Sequence, residues 1–240
     1  MTALLETYAE KIKAGELRGD AAQAEIVSHL DHLAQKLEAR EQRGAIGRFL
    51  NKNGIPKGAY IYGDVGRGKT MLMDLFFASL QVKSKQRIHF HAFMQDVHRR
   101  RQALREADVV AQIATDLAKQ AQVLCLDEMQ ISDIADAMIV GRLFQALLAQ
   151  GTVIVTTSNL PPGQLYKDGL NRGLFVPAIK LMESNFDVLS LAGPTDYRLG
   201  RVKARESFVT PLGPKADAHV QRIWERLTDM PKGEPCEIPV

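Results

Sequence analysis

The sequence predicts an α/β fold, a parallel five-stranded sheet with helices on both faces, and three observations point to it. Short apolar and β-branched runs alternate with helical stretches from residue 59 to residue 191, the pattern of parallel strands joined by right-handed crossovers. One run, Val123-Leu124-Cys125-Leu126, is apolar at every position, as expected of a central strand covered on both faces. A glycine-rich octet, Gly63-Asp64-Val65-Gly66-Arg67-Gly68-Lys69-Thr70, stands between one of these strands and one of these helices.

In chain order, residues 1–58 read as an N-terminal helical segment. Ile26, Leu30, Leu33 and Leu37 recur at helical spacing and make one apolar packing stripe. Asn53-Gly54-Ile55-Pro56-Lys57-Gly58 is turn-rich and reads as a linker. Residues 59–193 form the core. Its strands are expected at 59–62, 87–91, 123–126, 153–157 and 187–191. Helices are expected at 70–80, at 97–119 with a break near Asp108, and at 134–149 with Ser132 or Asp133 as the cap. Residues 194–240 form a partial C-terminal region. Arg198, Arg201, Lys203 and Arg205 make it basic, an amphipathic helix lies around 218–227, and the end is proline-rich.

Hydrophobic residues make up 45% and charged residues 25% of the 240, which excludes the disordered and collagen-like classes. A net charge of +3 permits contact with nucleic acid or an acidic surface without requiring it. The two cysteines, Cys125 and Cys236, form neither a disulfide framework nor a zinc knuckle. Met1-Thr2-Ala3-Leu4-Leu5-Glu6 lacks a leader pattern, and no apolar run approaches a membrane span. The expectation is a soluble, cytoplasmic protein.

The octet fits G-x-x-x-x-G-K-[ST] and has the flanking strand and helix that this motif requires. Its glycines permit positive φ and close backbone approach. Successive N–H groups and a helix N-terminus then present positive charge to phosphates. The whole loop (Gly63, Asp64, Val65, Gly66, Arg67, Gly68, Lys69 and Thr70) is expected to bind the triphosphate of ATP. Lys69 reaches the β- and γ-phosphates, and the Thr70 hydroxyl is offered to Mg²⁺. The apolar strand ends in Asp127-Glu128, at the edge where parallel sheets bind ligands. Asp127 is expected to hold Mg²⁺ through water, and Glu128 to orient and deprotonate the attacking water. A glutamate in that place suits hydrolysis better than transfer to a small acceptor, which supplies its own nucleophile. Val153-Ile154-Val155-Thr156-Thr157 ends in Ser158-Asn159. If that strand neighbours the acidic one, Asn159 reaches the γ-phosphate and the lytic water.

Together these residues resemble the AAA+ ATPases, and within them the ZapE/AFG-type family. The resemblance rests on Tyr60-Ile61-Tyr62-Gly63, His89-Phe90-His91-Ala92-Phe93-Met94, Leu126-Asp127-Glu128 with Asp133-Ile134-Ala135-Asp136-Ala137-Met138, Thr157-Ser158-Asn159-Leu160-Pro161, and Leu165-Tyr166 with Gly169-Leu170-Asn171-Arg172. Asp20 and Gln23 look like the family's N-terminal segment. The resemblance implies a P-loop sheet ordered 5-1-4-3-2 and ATP hydrolysis coupled to work on a protein. In bacterial relatives that work is cell division at the FtsZ ring, so FtsZ or another divisome component is the implied partner. It implies further chain beyond Val240, carrying the rest of a helical lid and a nucleotide-sensing arginine. Arg172 resembles an arginine finger given to a neighbour's γ-phosphate, which implies a homo-oligomer in ATP.

Phe93-Met94 stands where ring-forming relatives line a central pore, or else starts a buried helix. Arg99, Arg100, Arg101 and Arg105 are a solvated helix face, or a basic surface for an acidic peptide or single-stranded DNA. The second alternative would suit a DNA-associated ATPase such as a helicase loader. His89, His91 and His98 have no further ligands nearby and are expected to be structural.

Overall fold

Strands β1 (Gly58–Tyr62), β2 (Lys85–His89), β3 (Val123–Asp127), β4 (Val153–Ser158) and β5 (Phe186–Ser190) pair into one sheet in the order β2-β3-β4-β1-β5. The computed structural model describes residues 3–17, 19–43, 54–103, 108–191 and 213–228. Every strand pair is parallel, and read from the β5 edge the order is the expected 5-1-4-3-2. The chain leaves β1 toward β2 and later enters β5 on the other side of β1. That reversal makes the carboxyl end of β1 a topological switch point, where open sheets of this class bind ligands.

Side-chain alternation explains the two faces. Ala59, Ile61, Cys125 and Val155 pack beneath α1 (Ala3–Lys13), α2 (Ala21–Gln42) and α3 (Lys69–Ser79). Tyr60, Leu124, Leu126 and Ile154 pack against α4 (Phe90–Ala103), α5 (Val109–Gln120), α6 (Ile134–Ala149) and α7 (Val176–Asn185). The stripe Ile26, Leu30, Leu33 and Leu37 is buried throughout, on the α3 side of the sheet. Asp133 caps α6 by accepting from the Asp136 N–H at 2.9 Å, and Asp108 caps α5 at the expected break. Among the described residues no helix is long and apolar enough to cross a membrane.

Two expectations are corrected. Strand β2 ends at His89 and α4 begins at Phe90, seven positions before the helix start expected at Val97. Phe90, Phe93, Met94 and Val97 form an i, i+3, i+4, i+7 stripe, and all four are buried. Burial of that stripe pulls the helix start back to the strand end. Phe93 and Met94 therefore belong to the core, which removes the pore-lining alternative.

The chain divides into two compact units, 1–194 and 195–240. In the second, α8 (Pro214–Thr228) starts on a proline, whose fixed φ suits a first helical position. Arg105, Arg198, Arg201, Lys203, Arg205 and Cys236 lie outside the described residues.

Candidate functional site

The loop of residues 63–70 leaves β1 at the switch point. Tyr62 pairs with Ser158 on one side and Ser190 on the other, and the Gly63 N–H donates to the Ser158 carbonyl at 3.3 Å. Gly66 and Gly68 hold φ of 84° and 90°, conformations that a side chain disfavours. Gly68 is the N-cap of α3, so the unpaired N–H groups of that helix's first turn lie at the loop. Lys69 is 8% exposed. Its Nζ donates to the carbonyls of Gly63 at 2.6 Å and Asp64 at 2.8 Å, which holds the cation over the loop. Thr70 is exposed in the first turn of α3, and Asp64 and Val65 are exposed at the loop's tip.

Asp127 is buried at the end of β3. Its Oδ2 accepts from Arg87 Nε at 2.7 Å, and Arg87 Nη1 also pairs with Asp74 on α3. Its Oδ1 is buried without a hydrogen-bond partner among the described residues. A buried carboxylate oxygen left in that state demands an explanation, and a hydrated divalent cation fits it. Burial opposes the charge of Arg87, but hydrogen bonds to Asp127 and Asp74, and their charges, outweigh burial and raise its pKa above the ordinary guanidinium value. Arg87 ties the acid to the helix that follows the loop. Removing it would strand a buried carboxylate, so Arg87→Ala should cost about 2–4 kcal/mol of stability without nucleotide. Urea unfolding checks this, and a loss near zero would show that Asp127 does not depend on Arg87.

Glu128 is exposed and holds φ of 57°. For a residue with a side chain the left-handed region costs about 1–2 kcal/mol. The turn is held by three bonds to β4: Glu128 N–H to Thr157 Oγ1 at 2.9 Å, Met129 N–H to the Thr157 carbonyl at 2.7 Å, and Ser158 Oγ to the Met129 carbonyl at 2.8 Å. The end of β4 thus bonds to the acidic turn and, through the Ser158 carbonyl, to Gly63. Asn159, exposed, follows directly. Its turn is fixed by the Tyr60 hydroxyl, which donates to the Leu160 carbonyl at 2.8 Å. Desolvation chiefly pushes the pKa of that hydroxyl above its usual value. The glycine loop, Asp127, Glu128 and Asn159 therefore share one edge of the sheet.

Among the described residues no bond joins Arg172 to the glycine loop, Asp127, Glu128 or Asn159. It lies in a 3-10 turn, Arg172–Leu174. Its Nη2 donates to the Gly163 carbonyl at 2.6 Å, and its Nε is buried without a partner. His98 bonds to Asp136 at 2.7 Å and His91 to Gln95 at 3.0 Å. Among the described residues no cluster of metal-ligating side chains occurs. Arg99 and Arg100 both pair with Asp96. Burial, then the charge of Asp127, pushes the Cys125 thiol up to about 12, which leaves it without thiolate reactivity. Sequence reasoning missed Arg87, Asp74 and the contacts of Gln23. The one available signal was an arginine inside a predicted strand.

A family model described as AFG1-like ATPase matches residues 2–238. The chain is 44% identical over 198 residues to an uncharacterized protein of Schizosaccharomyces pombe, spanning 80% of this chain and 43% of that protein. It is 38% identical over 234 residues to cell division protein ZapE of Escherichia coli K12, spanning 92% of this chain and 62% of ZapE. The chain thus spans less than two thirds of either relative. The AMPPCP-bound DnaA of Aquifex aeolicus superposes with a TM-score of 0.53 at 16% identity, over 76% of this chain and 50% of that one. That likeness is one of fold, the P-loop fold of the AAA+ type.

Proposed function

This chain belongs to the AFG1-like ATPase family, and from that premise we propose that it hydrolyses ATP at the edge formed by the glycine loop, Asp127, Glu128 and Asn159. One observation carries the proposal: the end of β4 is bonded both to the loop at Gly63 and to the acidic turn at Glu128 and Met129. The phosphate grip and the two carboxylates are thereby held in fixed relation.

In this reading the loop N–H groups and Lys69 Nζ bind the β- and γ-phosphates, Lys69 exchanging the Gly63 and Asp64 carbonyls for phosphate oxygens. Mg²⁺, when bound, neutralises developing phosphate charge; Thr70 and the unpaired Asp127 Oδ1 are the groups to hold it. Glu128 takes a proton from water as the water oxygen bonds to the γ-phosphorus. The bond from that phosphorus to the β–γ bridging oxygen breaks, giving ADP and inorganic phosphate. Asn159 orients the water and the γ-phosphate.

Arg172 acts on a neighbouring copy's γ-phosphate. Supporting this, among the described residues Arg172 bonds to a backbone carbonyl, that of Gly163, and to no carboxylate. The adjacent Leu170 and Leu174 are 71% and 61% exposed, and Leu174 lines a groove with Met138, Pro177 and Leu181 and with the polar Arg142 and Gln145. Burying an apolar side chain of this size contributes about 1.5–3 kcal/mol to association. The 38% identity with cell division protein ZapE over most of this chain supports a role in cell division; in this proposal the hydrolysis does work on a protein partner there, FtsZ or another divisome component. The basic face of α4 argues less for DNA, because Asp96 neutralises part of the charge of Arg99 and Arg100.

Light scattering with ATP, using wild type and Glu128→Gln, should show a multimer. Arg172→Ala should keep ATP binding and lower turnover about 10³-fold or more. Full turnover by a strict monomer, unchanged in Arg172→Ala, would reject the shared site.

A further inference from the structure

The phosphate loop is braced from outside by α2, at a residue 44 positions earlier in the chain. We propose that Gln23 is a positioning residue for the phosphate grip: its amide holds the Arg67–Gly68 peptide so that the Gly68 N–H faces the bound phosphates. The inference rests on the reading of residues 63–70 as a triphosphate cradle and names a residue that shapes it.

Gln23 is 3% exposed. Its Nε2 donates to the Arg67 carbonyl at 3.0 Å, and its Oε1 accepts from the Tyr8 hydroxyl at 3.5 Å. The Arg67 carbonyl can only accept, so the NH₂ end of the amide faces the loop and its oxygen faces Tyr8 of α1. In a trans peptide the C=O and N–H point to opposite sides. With the Arg67 oxygen held toward α2, the Gly68 N–H is directed away from α2, which is the proposed side of the bound phosphates.

A second feature agrees. A Cβ on Gly68 would lie 2.9 Å from Gln23 Nε2, and Gly68 holds φ of 90°. The glycine is therefore favoured by its backbone, and any side chain there would have to displace the Gln23 amide from its place against the loop. The Arg67 side chain reinforces the brace: Nε donates to the Leu191 carbonyl at 3.3 Å, and Nη2 lies 3.7 Å from Asp20 Oδ2 at the cap of α2. Arg67 is buried, so it serves the loop from behind. Helices α1 and α2 are in this way part of the nucleotide grip as well as a cover for the sheet.

The test compares wild type, Gln23→Met and Gln23→Glu, reading ATP and ADP affinity by calorimetry, the melting temperature without nucleotide, and exchange of the Gly68 amide with ATP bound. Met keeps the shape and loses the donor. Glu sets a carboxylate oxygen against the Arg67 carbonyl and favours turning the peptide over. The expected losses of affinity are several-fold for Gln23→Met and about 10- to 100-fold for Gln23→Glu. The Gly68 amide should lose its ATP-induced protection in Gln23→Glu, with Gln23→Met melting near wild type. Unchanged affinity in both variants, or losses that only track a fall in melting temperature, would overturn the assignment. Absence of ATP binding by wild type would overturn the nucleotide reading itself, and this inference with it.

Discussion

Lys69→Ala should show no saturable ATP binding at concentrations that fill the wild-type site. The Lys69 ammonium is nearly buried and held over the loop by the carbonyls of Gly63 and Asp64. It is thus already ordered at the loop before the phosphates arrive, and binding exchanges its two carbonyl partners for phosphate oxygens rather than ordering a free side chain. A preorganised cation at a multiply charged phosphate contributes about 3–4 kcal/mol, or a factor of about 10²–10³. The same substitution should disturb the fold little, because Gly63 is half-buried and Asp64 exposed, so water can replace the ammonium at their carbonyls. Lys69→Arg separates charge from shape: the planar guanidinium keeps the charge but does not match the space of a compact ammonium, so it should rescue only in part. Calorimetric titration, with urea unfolding as the control, distinguishes loss of grip from loss of fold.

Glu128→Gln should bind ATP as wild type does and lose about 10²–10⁴ in phosphate release. Glutamine retains the size and the hydrogen-bonding tip of glutamate but takes no proton from water. The backbone allows a second form of the test. Glu128 sits at φ of 57°, a conformation in which glycine is at ease, and its N–H bond to Thr157 Oγ1 uses no side-chain atom of residue 128. Glu128→Gly should therefore be no less stable than wild type and as inactive as Glu128→Gln. A stable variant without turnover shows that the glutamate is present for chemistry rather than for the fold. Equal phosphate release from wild type and Glu128→Gln would refute its role as the base.

Much of the fold was legible because burial leaves a periodic signature. β3 and β4, buried at every position, appear as apolar and β-branched runs that turn polar only at their last residues, Asp127 and Ser158. The stripe of α2 appears at helical spacing. The loop and Asp127-Glu128 were legible because strand–loop–helix context and a polar strand end are local. The start of α4 was misplaced because alternating His89-Phe90-His91 resembles a strand, although the stripe from Phe90 to Val97 was already in the sequence. The links from Arg87 to Asp127 and Asp74, and from Gln23 to Arg67, were not legible. Each joins single polar residues from distant parts of the chain, and such contacts have no period. They depend on which strands become neighbours and on which face of the sheet α2 lies, so they follow from the fold and cannot be read before it. The placement of Asp127 is of the same kind: only the three-dimensional structure shows that one carboxylate oxygen is bonded to Arg87 while the other is buried without a hydrogen-bond partner among the described residues.

The most direct measurement is a calorimetric titration of the purified chain with ATP, ADP and AMP in the presence of magnesium. A loop that grips the β- and γ-phosphates through main-chain N–H groups and Lys69 should take up ATP and ADP at one site per chain and bind AMP far more weakly. No uptake of ATP, or equal affinity for AMP and ATP, would contradict the account.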